Sequence, residues 1–303
     1  MAFTAKDVKE LREMTGVGMM DCKKALAASD GDMDKAVEWL REKGLAAAQK
    51  KAGRIAAEGM AYAANLNGIG VVVEVNAETD FVAKNEKFVN FVKGVAQAVA
   101  ETNPADMDAL MATTYPGTEL TVLQQQQEMV LVIGENISVR RFARFADGFS
   151  VPYVHAGGKI GVLVNLTVEG GIDATEIGKD VAMQIAALNP RFWDKSQVSE
   201  DVLDEEKKIL LAQMDNDPKM ANKPAQVKEK IVVGKLNKFY TENCLLQQEF
   251  VKDNELTVEK YIAAAAKALG GKVTFVDAVR FEKGEGIEKR KDNFAEEIAS
   301  MVK

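Results

Sequence analysis

YAANLNGIGVVVEV at residues 62–75 and YVHAGGKIGVLVNL at residues 153–166 decide the fold. At a constant offset of 91, Tyr62 meets Tyr153, Ile69-Gly70-Val71 meets Ile160-Gly161-Val162, and Val73 meets Val164. In the first copy Met60, Tyr62 and Ala64 alternate with the period of a half-buried strand. Asn67-Gly68 follows, a pair that tolerates positive φ at both central positions of a two-residue hairpin turn. The returning run IGVVVEV is β-branched and apolar on both faces, which predicts a well-buried strand. A helix is expected next, with Phe88, Phe91, Val92, Val95 and Val99 at helical spacing, and the second copy is followed by a helix from Ile177 to Leu188. Two related hairpin-plus-helix subdomains are expected, and so an α+β core. One echo falls short of a solenoid, which needs at least three units.

Upstream, residues 1–55 read as a three-helix module that resembles the ubiquitin-associated type of bundle. Thr4 caps a helix carrying Val8 and Leu11, Gly16 and Gly18 interrupt it, and a second helix starts near Met19. Asp30-Gly31 marks a turn. Asp32 caps a third helix with Met33, Ala36, Val37 and Leu40 on one face and Gly44 at its stop. LAAAQKKAGR then leads away as a separate linker helix. ETNPADMD reads as a loop, and a helix is expected from about Leu120 to Ile133, ended by Gly134. Val202, Leu203, Ile209 and Leu210, then Val227, Ile231 and Leu236 beyond a polar turn, predict an antiparallel helical hairpin with a coiled-coil-like seam. A helix carrying Val258, Ile262, Ala265 and Leu269, a strand VTFVDAVRF and a short amphipathic helix DNFAEEIASMV complete the chain. The expected division is 1–55, 56–145, 146–189 with 241–283, the inserted hairpin 190–240, and a C-terminal helical module 284–303.

The composition narrows function. The 303 residues carry a net charge of −7, unlike the basic surface that nucleic-acid binding requires. A single histidine, His155, counts against histidine-based triads and most histidine-rich metal sites, and Cys22 and Cys244 form no ligand cluster. No GxxxxGK[ST] phosphate loop is present. The expectation is a non-enzymatic protein that meets other proteins, with no cofactor, no metal and no membrane span, in the cytoplasm. Phe81, before the Phe88 helix, reads either as a core residue facing that helix or as an exposed contact. Thr79 and Asp80 read as caps. Of Met19 and Met20, one is expected in the core and the other at a contact. Gly134 reads equally as an ordinary helix stop.

Two long stretches carry a resemblance. LREMTGVGMMDCKKAL (11–26) and EVNAETDFVAKNEKF (74–88) are similar to signatures of the bacterial elongation factor Ts family, as are GENISVRRF (134–142), HAGGKIGVLV (155–164) and RFEKGEGIEK (280–289). The resemblance implies a guanine-nucleotide exchange factor that binds the GTPase EF-Tu and speeds GDP release. It associates Thr79, Asp80, Phe81 and Val82 with dislodging the Mg²⁺ that holds GDP. It implies partner contacts at Met19, Met20, Ile133, Gly134 and His155, and leaves self-association through the helical hairpin open. Glu78 and Gln184 stand where some members carry glutamine and histidine.

Overall fold

The computed structural model describes residues 3–288. The expected helix DNFAEEIASMV lies outside them. Three helices open the described chain: α1 (Ala5–Thr15), α2 (Met19–Ala28) and α3 (Met33–Lys51). Thr4 and Asp7 form a reciprocal capping box on α1, and Asp32 caps α3. Val8, Leu11, Cys22, Leu26, Ala36 and Leu40 are buried together between the three. Gly44 does not stop α3, and no separate linker helix exists; α3 runs on through LAAAQKK. A side chain at position 44 would stand 3.3 Å from the Gln127 carbonyl oxygen and 3.8 Å from Leu131 Cβ. The glycine therefore permits a close helix crossing, where the sequence reading placed a cap.

The first sheet follows. β1 (Glu58–Leu66) and β2 (Ile69–Ala77) form the expected hairpin, with Asn67 at φ 55° and Gly68 at φ 90° in its turn. A one-turn helix α4 (Asp80–Ala83) and the long α5 (Glu86–Thr102) come next. ETNPADMD is a loop only in part, because α6 (Met107–Ala112) begins inside it, capped by Asp106. α7 (Val122–Ile133) is held at its start by a Thr121–Gln124 capping box and closed by Gly134 at φ 88°. β3 (Ser138–Phe145) then pairs antiparallel with β2, giving the sheet order β1-β2-β3.

The second sheet repeats the plan. β4 (Phe149–His155) and β5 (Ile160–Glu169) form a hairpin and α8 (Thr175–Leu188) covers it. The antiparallel pair α9 (Glu200–Asn216) and α10 (Ala225–Asn243) is inserted here. Its seam is Leu210, Met214 and Val232, with Met220, Ile231 and Leu236. Ile209, read from the sequence as part of the seam, is exposed. A small hairpin, β6 (Glu249–Phe250) with β7 (Asp253–Thr257), had no counterpart in the sequence reading. α11 (Val258–Ala268) and β8 (Lys272–Glu282) close the order β4-β5-β8.

Side-chain alternation sorts the two faces of each sheet. Val71, Val73 and Val75 face α5 and α7, whereas Val162, Val164 and Leu166 face α8 and α11. The opposite faces meet each other through small residues: Ala61, Ala63 and Val72 pack on Leu163 and Phe281. The repeat extends to an irregularity invisible in the sequence. β2 carries a bulge against β3 at Glu74/Val75, and β5 carries one against β8 at Asn165/Leu166, again 91 residues later. Glu74, on the inter-sheet face, is fully buried. It accepts from Arg140 Nη1 at 2.9 Å, Arg141 Nε at 2.5 Å and the Gly284 N–H at 2.8 Å. Burial pushes this carboxyl up, but the Gly284 N–H, the two guanidiniums and Asn76 more than offset it and hold it below the ordinary range. The anion thus ties β2 to the segment that follows β8.

Candidate functional site

Strand β2 ends at Ala77, and the next two residues carry backbone N–H groups without a ladder partner in that strand. Glu135 takes both. Its Oε2 accepts from the Glu78 N–H at 3.1 Å and the Thr79 N–H at 3.0 Å, and its Oε1 from the Thr79 hydroxyl at 2.7 Å. Thr79 Oγ1 in turn accepts from the Val82 N–H at 3.4 Å, capping the single turn of α4. Phe81 therefore lies on a short helix. Val82 and Ala83 are buried on the inner side of that turn.

Phe81 is 81% exposed, the most exposed large apolar side chain among the described residues. Its reading as a core residue facing α5 is excluded. Asp80, beside it, pairs with Lys84 at 3.0 Å. That bond, and the Lys84 charge, hold its carboxyl below the ordinary range.

The corner after α7 lies against the same turn. Ile133 is half-buried against the first core, Gly134 is exposed in the left-handed region, and Glu135 follows at once. Asn136 completes the junction: its N–H donates to Glu78 Oε1 at 2.6 Å and its side-chain Nδ2 to the Arg54 carbonyl at 2.8 Å. Arg54 Nη1 lies 3.4 Å from Glu78 Oε1. Lys51, at the end of α3, is pushed down by burial and by Arg54, against the opposing pull of Glu78 and Glu135. Glu135 escaped the sequence reading, because its partners are 56 and 57 residues away.

The other predicted contacts stand on separate elements. Met19 and Met20 begin α2 and are 46% and 64% exposed, which corrects the expectation that one is buried. A helix start with Gly18 as its cap turns both outward, while Cys22, Ala25 and Leu26 face in. The module is held to the core by α3 against α7 and by Lys87 Nζ donating to the Gly16 carbonyl at 3.3 Å. His155 is exposed at the end of β4, its Nδ1 3.0 Å from the Tyr153 hydroxyl. Its hairpin meets β1 through the Ala61 N–H and the Gly158 carbonyl. Cys22 and Cys244 are buried free thiols; burial raises both, Cys244 to about 11. Among the described residues no three His, Cys, Asp or Glu side chains gather in a metal-binding group, and no helix is long and apolar enough to cross a membrane.

The fold is thus an α+β chain of two packed sheets, with a helical module in front and an exposed aromatic on a clamped turn. The family model described as Elongation factor TS matches residues 78–285. The chain is 48% identical to the elongation factor Ts of Syntrophotalea carbinolica over 100% of both chains. It is 50% identical to that of Trichlorobacter lovleyi over 100% of this chain and 99% of the relative, and 49% identical to that of Clostridium perfringens over 99% of each. The chain belongs to the elongation factor Ts family.

Proposed function

We propose that the protein is a guanine-nucleotide exchange factor for EF-Tu, acting in the cytoplasm without catalytic groups of its own. The observation that carries this reading is Phe81, held out at 81% exposure on a turn whose neighbours Val82 and Ala83 are buried. Such a side chain is a wedge. Burying it in a partner contributes about 1.5–3 kcal/mol, which can offset distortion of the partner's nucleotide site. In a phosphate-loop GTPase, Mg²⁺ bridges the phosphates to hydroxyl and carboxylate ligands in a near-ideal octahedron. A small displacement of those ligands releases the ion and loosens GDP. Thr79 and Val82 shape and anchor the turn, and Asp80 stands next to the wedge. Met19, Met20, the Ile133-Gly134 corner and His155 supply the grip. The proposed working units are those expected from the sequence, with 1–55 and 190–240 as appendages to a two-part core.

Coupling between two ligands is reciprocal: a factor that weakens GDP binding is itself weakened by GDP to the same extent. Binding of purified EF-Tu should therefore fall as GDP is titrated in, read by calorimetry or by pull-down from bacterial lysate. Binding indifferent to GDP would refute exchange and favour a docking scaffold. Exposed Ile209, Val227 and Val233 on the helical hairpin give that alternative a surface.

A further inference from the structure

α4 is four residues long. A helix of that length has no stability of its own, since nucleation alone is unfavourable and isolated helices below about 12 residues are marginal. The direction in which Phe81 points must be imposed from outside. Two buried residues, Val82 and Ala83, fix the depth of the turn. Its N-terminal end is fixed by a reciprocal exchange of carboxylates. Glu135, leaving α7, takes the N–H groups of Glu78 and Thr79 and the Thr79 hydroxyl. Glu78, entering α4, takes the N–H of Asn136. Arg54, from the segment after α3, closes the group through its guanidinium to Glu78 and its carbonyl to Asn136.

We infer that Glu135 is a positioning residue for the exchange reaction. Its carboxylate joins the Ile133-Gly134 corner to the Phe81 turn, and Glu78 and Asn136 tie Arg54, at the exit of the N-terminal module, to the same junction. The inference rests on the reading of Phe81 as the wedge. Hydrogen bonds to a charged acceptor are the stronger kind, and here three of them converge on one side chain from the two residues preceding the turn. A partner held at the corner then meets Phe81 at a fixed offset, so that binding at one place becomes displacement at the other. Without the clasp the turn still exists but yields when pressed.

The test is a double-mutant cycle on stimulated release of a fluorescent GDP analogue from EF-Tu. It uses the full chain, with circular dichroism to confirm folding. Glu135→Ala is expected to lower the maximal stimulated rate about tenfold, with the half-saturating concentration changed less than about twofold, because grip is retained and positioning lost. Glu135→Gln keeps an acceptor for the two N–H groups and loses the charge; it should fall between Ala and the natural residue, and it decides the matter if the Ala variant does not fold. In a Phe81→Ala background, Glu135→Ala should cost nothing further. A natural maximal rate in both Glu135 variants while Phe81→Ala is slow overturns the clasp alone. Additive losses overturn it as well, since Glu135 would then act elsewhere. Natural rates in Phe81→Ala and Glu135→Ala alike overturn the wedge reading, and the clasp with it.

Discussion

Replacing Phe81 by alanine separates what this side chain does for the fold from what it does for a partner. In the free chain the ring is 81% exposed. Its removal should change unfolding free energy by no more than about 0.5 kcal/mol, the range of ordinary surface substitutions. Full burial of a phenylalanine is worth about 1.5–3 kcal/mol, and some four-fifths of that is still available at an interface, or roughly 1.2–2.4 kcal/mol. At about 1.4 kcal/mol per tenfold change in rate, the loss amounts to ~7- to ~50-fold in stimulated GDP release. Stopped-flow release of a fluorescent GDP analogue from EF-Tu, at saturating factor, reads this directly. Urea unfolding of the variant supplies the stability arm. A release rate within twofold of the natural protein would refute the wedge. A large drop in unfolding midpoint would show instead that Phe81 is structural, against its exposure.

Two more expectations follow from geometry. Met19→Ala together with Met20→Ala should leave thermal stability nearly unchanged, since both side chains face outward, while weakening EF-Tu binding about tenfold by calorimetry; unaltered affinity would remove them from the interface. Glu74→Gln should cost about 3 kcal/mol in urea unfolding, because it removes the buried carboxylate that two half-buried guanidiniums share, leaving Arg141 only its Glu285 ion pair among the described residues. The folded carboxyl of Glu74 lies below its unfolded value of 4.5, so its contribution is complete above that value and is lost as pH falls through the folded value. The natural protein should therefore lose stability more steeply than Glu74→Gln below about pH 4, and parallel pH profiles would contradict the assignment.

The parts legible in the sequence were those that local chemistry dictates. Alternation around Asn67-Gly68 and its echo 91 residues on located both hairpins, because side-chain period and turn chemistry act within a few residues. Phe88, Phe91, Val92, Val95 and Val99 announced α5 for the same reason, and all five are buried on one core. What was misread depends on distant partners. Gly44 looks like a helix stop until α7 is laid across it. α4 and β6 are too short to show a period. The candidate residues were found through signature stretches, but whether Phe81 faced inward or outward was undecidable from spacing. Glu135 needed the strand end, the turn and the corner to be adjacent in space.

The shared bulge at Glu74/Val75 and Asn165/Leu166 gives the molecule the character of a fused dimer whose two halves have taken different occupations. Both halves turn the same face of their central strand to each other. What each places between that strand and the covering helix differs. The first half inserts α4 with its protruding Phe81; the second passes through Gly170-Gly171, both in the left-handed region, straight to α8. The first half's connection carries the exposed aromatic turn, while the second half packs against the other face of that half's sheet.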